Sequence, residues 1–424
     1  MTHHTAFPDR YDPDLDLQDP LAEFRSQFHL PENESGQVQR YFCGNSLGLQ
    51  PRSTRDHVQR ELDDWARLGV EGHTEARYPW VRYHEFLTEN MAQVVGARPS
   101  EVVVMNTLTV NLHLMMVSFY RPTPDRHKIL IEFSAFPSDR YAVESQIRFH
   151  GYDPAESLII LKPDTDHEYV NHAQIQDIIS REGDRIALIL IGSVNYYTGQ
   201  AYPIRKITDW GHEKGCTVGF DLAHGAGNLL DLHADGPDFA VWCSYKYLNS
   251  GPGSLAGCFV HERHASSFDL PRFAGWWGHD KANRFKMEPT LRLMPGAEGW
   301  QLSNPPILPM ACMMASLELF RQAGMPALRQ RSLRLHQCLR ERVEAIGHPN
   351  IRLLTPSAED EHGCQLSIQL LNADRKVHKR LAENHIIADW REPDVIRVAP
   401  VPLYNSFEDV YIFSAKLKEA LPEQ

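Results

Sequence analysis

IALILIGSVNYYTGQAYPIRKITDWGHEKGCTVGFD, residues 186–221, decides the fold class. Its apolar run IALILI reads as a strand buried on both faces, since a half-buried strand alternates polar and apolar residues. The stretch PIRKITDWGHEKG that follows has apolar residues at helical spacing and stops at a glycine. A second apolar run, CTVGFD, comes directly after it. Strand, helix and strand in this order make a parallel crossover unit. The same texture extends in both directions: upstream EVVVMN with TVNLHLMMVSFY, KILIEF with SDRYAVESQIRFHG, and SLIILKP; downstream DFAVWCSYKY and GSLAGCFVH. Residues from about 70 to 310 are therefore predicted as α/β with a mostly parallel sheet.

The flanks differ. Up to about residue 40 the chain is polar, with one short helix predicted in PLAEFRSQF, and RSTRDHVQRELDDWARLG reads as a helix capped by glycine. Past NPPILP, near residue 306, a long helical stretch runs through MACMMASLELFRQAG into ALRQRSLRLHQCLRERVEAIG. Two strand candidates, GCQLSIQLL and VIRVAPV, follow and suggest a smaller α+β domain at the C-terminus. A length of 424 residues favours two or three domains. The expected division is an N-terminal segment 1–69 that joins the small domain, a large domain 70–306 and a small domain 307–424.

A formal net charge of −12 argues against a nucleic-acid partner and against an anionic membrane surface, both of which need a basic footprint. The longest apolar runs are far short of a membrane span. Seven scattered cysteines without a Cys-x-x-Cys pair read as reduced thiols, and the first residues lack the apolar core of a signal peptide. These features predict a cytoplasmic protein.

SYKYLNSGPG, residues 244–253, puts Lys246 at the mouth of an apolar strand. Desolvation disfavours a charged amine, which suits a lysine there to act as a neutral nucleophile. Gly251 and Gly253 are expected to make a side-chain-poor turn that passes close to a bound group. The glycine spacing does not match a dinucleotide fingerprint, and Walker A, HExxH and Gly-x-Ser-x-Gly sequences are missing. HERH, residues 261–264, reads as a solvated loop, because nothing nearby completes a metal site. Asp221 ends one strand, His224 follows three residues later, and Lys246 follows Asp221 by 25. Carboxyl ends of parallel strands are where ligands bind in such sheets. A lysine to form a Schiff base and an acid to pair with a pyridinium nitrogen are what pyridoxal phosphate requires, although either residue alone is an ordinary ion-pair member at a sheet edge. Thr107, Leu108 and Thr109 at a strand-to-helix turn offer a phosphate cup or a plain helix cap. Phe136 in AFPSD offers a ring to stack on a flat cofactor, or a core aromatic.

Together these motifs resemble a fold-type I pyridoxal phosphate enzyme. The finer stretches CGNSLGLQP, NTLTVNLHLMM, FPSDRYAVESQ, YYTGQ, FDLAHGAGN, SYKYLNSGPG, GWWGH, LSNPPI and VIRVAPVPLYNSFEDV, in order from residue 43 to about 410, are similar to the kynureninase family. The resemblance implies a three-layer αβα large domain with a mostly parallel seven-stranded sheet and a smaller α+β C-terminal domain. It implies a homodimer that hydrolyses L-kynurenine or its 3-hydroxy form to an anthranilate and L-alanine, in tryptophan breakdown or nicotinamide cofactor synthesis. Lys246 would carry pyridoxal 5'-phosphate as a covalent Schiff base and shuttle protons. Asp221 would pair with the pyridine nitrogen and His224 would lie beside the ring. Phe136 would stack on it, and Leu108, Thr109, Ser138, Asp139 and Tyr245 would surround the phosphate. Tyr245 would also relay a proton. Trp276 and Asn304 would line the site across the dimer, and Arg397 would clamp the substrate α-carboxylate. His73, Ser303 and Asn304 match the pattern associated with a preference for 3-hydroxykynurenine. The alternatives are a class V aminotransferase, a cysteine desulfurase, or a catalytically silent cofactor-binding member.

Overall fold

A computed structural model describes residues 7–164, 169–228, 230–371 and 375–422. Its central sheet consists of β1 (Val102–Met105), β2 (Lys128–Glu132), β3 (Leu158–Leu161), β4 (Ile186–Gly192), β5 (Thr217–Asp221), β6 (Phe239–Cys243) and β7 (Ala256–Val260). These seven strands lie in the order β1-β7-β6-β5-β4-β2-β3. The β7 strand runs antiparallel to both of its neighbours and the other pairs are parallel. Every strand expected in this part of the chain is in the sheet.

Successive residues of each strand enter opposite cores, as the pleat demands. Ile189, Ile191, Val218, Phe220 and Trp242 face one apolar cluster; Leu188, Leu190, Phe239 and Val241 face the other. Helices α1 (Thr54–Leu68), α2 (Glu85–Val95), α3 (Leu108–Phe119), α4 (Pro137–Phe149), α5 (Ile204–Glu213), α6 (Ile307–Ala323) and α7 (Met325–Glu344) carry most of the covering side chains. Residues of α2, α5 and α6 cover the first face, and α3 and α4 cover the second. The result is the three-layer αβα arrangement expected from continuously apolar strands. The single long helical stretch expected after residue 306 is in fact α6 and α7, separated by Gly324 at φ +77°.

Four antiparallel strands form the second sheet: β8 (Ile351–Leu353), β9 (Leu366–Leu370), β10 (Asp389–Arg391) and β11 (Val395–Val398), in the order β10-β11-β9-β8. Sequence reading finds only β9 and β11; the other two are three residues long and only partly buried. This sheet shares a core with α7 and with Phe42 from the N-terminal part. Arg40–Tyr41 also pairs in parallel with Ile386–Ile387.

The HERH stretch is a turn with Glu262 and Arg263 exposed, as expected, but its two histidines are engaged. His264 Nε2 lies 2.8 Å from Asp238 Oδ1, and His261 stacks on His233 at 5.5 Å beside the buried Glu101. Glu101, His233 and His261 bring ligating atoms within 4.8 Å of one another. The Glu101 oxygens accept the Glu262 and Arg98 N–H groups, each at 2.9 Å, and His261 Nδ1 accepts the Arg263 N–H at 3.1 Å. The cluster secures the turn after β7. Among the described residues no helix is long and apolar enough to cross a membrane.

Candidate active site

The carboxyl ends of β2, β4, β5 and β6 open into one pocket, with about 640 Å³ of atom-free space including its mouth. Lys246 enters it three residues past the end of β6. Its Nζ lies 3.2 Å from His224 Nε2 and 5.9 Å from the centre of the Phe136 ring. The loop carrying it is braced from behind. Gly48, in CGNSLGLQP, donates its N–H to the Tyr245 carbonyl at 2.8 Å, and a Cβ on Gly48 would collide with the Lys246 carbonyl. Sequence reading quotes that motif without giving it a task; its task is to let the N-terminal segment press against the lysine loop. Gly251 and Gly253 shape the turn after Lys246. A Cβ on either would meet open space, and they are required because φ is +99° and +66°.

Asp221 sits opposite Gly192 in the sheet, and its Oδ1 accepts the Ala223 N–H at 2.6 Å. Its carboxyl also hydrogen-bonds Asp139, from the first turn of α4. Burial pushes both acids up. Asp139 also faces the charges of Asp221 and Glu132, and the two carboxyls hold a proton in the hydrogen bond between them. His224 is pushed well below the ordinary histidine range by burial and then by Lys246. It is therefore neutral, accepting at Nε2, and its buried Nδ1 has no partner. Burial also raises the Tyr245 hydroxyl, next to Cys243.

Two helix N-termini converge at the other end of the pocket. Leu108 begins α3 and Pro137 begins α4, and Thr109 Oγ1 lies 3.1 Å from Ser138 Oγ. The Thr107 side chain makes no capping bond, which rules out the plain-cap reading. First-turn N–H groups lack intrahelical acceptors, and two helix dipoles aimed at one point favour an anion there. Phe136 is 44% exposed, so its ring is open to a planar partner. An anion cradle, an open ring, an orphaned imidazole nitrogen, a buried acid pair and a lysine amine in one pocket fit a phosphate-bearing pyridine.

Leu108, Thr109, Phe136, Ser138, Asp139, Asp221, His224, Tyr245 and Lys246 all line this pocket. The other expected residues lie outside it. Arg397 is buried, ion-paired with Asp389, and donates from Nη1 to the Tyr196 carbonyl at 2.7 Å; burial lowers its pKa to about 10. Tyr196 connects it to the pocket, with its ring edge-on to Phe136 at 5.3 Å. Trp276, 42% exposed, donates from Nε1 to Asn304 Oδ1 at 3.2 Å. Ser303 is exposed, and so is His73, which stands edge-on to Trp80 at 5.5 Å. Sequence reading missed Glu132, Gly192, Val194, Tyr196 and Ala223. Position at a strand's carboxyl end is the signal that marks Glu132 and Gly192.

A family model described as the kynureninase C-terminal domain matches residues 328–417. The kynureninase of Myxococcus xanthus (strain DK1622) is 58% identical over 95% of this chain and 95% of its own. That of Koribacter versatilis (strain Ellin345) is 55% identical over 94% of this chain and 95% of its own. Among solved structures, a C-DES mutant with glycine covalently linked to its PLP cofactor superposes with a TM-score of 0.78 at 17% identity, covering 93% of this chain and 99% of that one. An apo cysteine desulfurase from Thermococcus onnurineus NA1 gives 0.74 at 15% identity, covering 98% and 99%. At such identities the structural matches speak to the fold, which is that of fold-type I enzymes. Sharing more than half its residues with two kynureninases along nearly their whole length, the chain belongs to the kynureninase family.

Proposed function

We propose that this protein hydrolyses L-kynurenine and 3-hydroxy-L-kynurenine, favouring the latter, to the corresponding anthranilate and L-alanine. The observation that carries the reading is the Lys246 amine, set between His224 and Phe136 in the pocket that also holds the Asp139–Asp221 pair. The cofactor is pyridoxal phosphate, which supplies an electron sink for the carbanion left when the Cβ–Cγ bond breaks.

Lys246 anchors the cofactor and moves the substrate's α-proton. Asp221 holds a proton on the ring nitrogen, and the N-termini of α3 and α4 with Thr109 and Ser138 receive the phosphate. Water adds to the γ-carbonyl, and Tyr245 is the acid that assists there, a role worth roughly 10²–10⁴-fold. Arg397 would take the α-carboxylate through its planar fork by exchanging its present partners, Asp389 and the Tyr196 carbonyl, for the substrate.

A second copy of the chain completes the site. The exposed Trp276, which bonds Asn304 and meets the exposed Phe285 edge-on, and the exposed Met287 support a homodimer. In that dimer His73, Ser303 and Asn304 serve the ring hydroxyl, whose loss leaves their polar groups unpaired. The division at residues 70 and 306 draws support from Phe42, which lies in the C-terminal core. Leu21, Phe24, Phe28 and Leu49 of the N-terminal segment and most of the buried residues of α6 pack in the first core instead, and α7 reaches both. Seven free thiols support a cytoplasmic location. A desulfurase reading needs an accessible cysteine on a loop, whereas Cys338 and Cys364 are buried.

The test follows the fluorescent anthranilate product from each substrate with wild type and Lys246→Ala. Activity is expected from wild type alone, with a higher kcat/KM for the 3-hydroxy substrate. Turnover surviving in Lys246→Ala would refute the assignment of the lysine, and equal or reversed kcat/KM values would refute the preference.

A further inference from the structure

Glu132 is a buried carboxyl for which the mechanism above has no use. It ends β2, and β4 separates it from β5 in the sheet. Its Oε2 accepts the Gly192 N–H at 3.1 Å. Its Oε1 lies 2.8 Å from where a Cβ on Gly192 would stand, so the missing side chain is what lets the carboxyl lie across the end of β4. Gly192 is in turn the register partner of Asp221. Glu132 is 5% exposed and makes no ion pair among the described residues.

Titratable groups face it from every side: Asp221 from the end of β5, Asp139 from α4, and Tyr202 from the segment after β4. The neutral His224 and Lys246 line the same pocket, and Lys246 is the one cation there among the described residues. Three ionised acids against one amine would leave two uncompensated negative charges in a desolvated pocket. That cost is removed when two of the acids keep their protons.

We propose that Glu132 is a positioning residue that stays protonated, so that Asp221 alone carries the negative charge set against the cofactor's ring nitrogen. This rests on the pyridoxal phosphate reading of the pocket. Asp139 fixes one side of Asp221 through the hydrogen bond they share, and Glu132 fixes the charge on the other side by withholding its own. Burial lifts Glu132 to about 7 against the lowering effect of its own and the Gly192 backbone N–H groups, with a smaller push from the charge of Asp221, which agrees with that role. When Glu132 ionises, a second negative charge reaches the ring end of the pocket and strengthens the hold of Asp221 on the ring proton.

The experiment titrates holoenzyme between about pH 6 and pH 9. It follows the visible cofactor absorbance and cofactor affinity in wild type and Glu132→Gln, with the similarly long and uncharged Glu132→Met as a second variant. At the acid end both variants are expected to bind cofactor within about threefold of wild type, with the same spectrum. Toward the alkaline end the wild-type absorbance is expected to take one titration step more than either variant. A purely structural role for Glu132 would not move that step. A tenfold or larger change in cofactor affinity at the acid end would show that Glu132 was itself charged and would overturn the proposal. Superimposable titrations of coloured enzymes overturn it too, and leave the cofactor reading intact. A wild type that takes up no visible cofactor band brings down both.

Discussion

Asp221 and Asp238 are both buried carboxyls on the same sheet, joined by a hydrogen-bond register through β6, and they are treated oppositely. Asp238 is saturated: His212 at 2.9 Å, His264 at 2.8 Å, Arg263 at 3.1 Å and the Val218 N–H at 2.8 Å all reach it. Burial alone would push Asp238 up, yet these partners carry it well below the ordinary carboxylate range. Asp221 receives one backbone N–H and a second acid. The first arrangement holds loops together at the amino end of β6. The second leaves a carboxylate short of positive charge, a gap that a protonated pyridine fills. Replacing each by asparagine should separate the two purposes. Asp221→Asn is expected to lower kcat/KM by roughly 10²–10⁴-fold, with folding stability unchanged or improved because a desolvated buried charge is removed. Steady-state kinetics beside urea unfolding would check both, and a variant that keeps activity but unfolds would reverse the comparison.

Asp238→Asn should do the reverse. Removing one partner of a buried charged cluster costs roughly 3–5 kcal/mol, while the cofactor spectrum of the folded fraction stays that of wild type. The pH dependence has a definite sign. Because its folded pKa is depressed, the contribution of Asp238 is fully present above the unfolded value near 3.9 and is lost as pH falls. Wild type should therefore lose its advantage over Asp238→Asn progressively below about pH 4, as read from urea midpoints. A constant difference across that range would mean that the charge of Asp238 is not what stabilises the turn.

What was readable in advance follows the same divide. The seven strands were legible because a parallel sheet buried on both faces needs continuous apolar runs. Lys246, Asp221 and His224 were legible because chemistry collects at strand ends, and Thr109 because a phosphate cup needs a helix start. Glu132 was not, because KILIEF ends like any strand reaching solvent, and only the sheet order sets it beside Gly192 and Asp221. Gly48 stood inside a quoted motif, but its purpose depends on contact with a loop some 200 residues away. Glu101, His233 and His261 come together from three distant segments, so HERH by itself could only look like a loop.

Glu132 sharpens the comparison, since it is a buried acid with neither cations nor a ligand of its own. Its folded pKa of about 7 lies above the unfolded value near 4.3, so the unfolded chain releases the proton first as pH rises. Its contribution is fully present below about pH 4.3 and lost as pH climbs toward about 7, a decline of about 4 kcal/mol. In Glu132→Gln apoprotein that decline should disappear, so the stability of the variant relative to wild type should rise across this window and level off above it. Urea unfolding at several pH values would decide it. A parallel pair of curves would mean that Glu132 is already ionised in the folded protein.

The smallest expected effect lies at the turn after the lysine. Gly251 and Gly48 both serve this loop, one through backbone conformation and the other through contact. Gly251→Ala places its methyl group in open space, so its cost is that of holding a non-glycine residue at positive φ, about 1 kcal/mol. That loss should appear in unfolding experiments, with kcat/KM changing by less than about threefold because Lys246 is not displaced. Gly48→Ala forces its methyl group into the Lys246 carbonyl, where the only relief is to move the lysine loop itself. It should therefore lower kcat/KM out of proportion to its effect on stability. If Gly251→Ala instead damages catalysis as much as Gly48→Ala, the turn after Lys246 works by close approach to a bound group, and conformation is not the reason for its glycines.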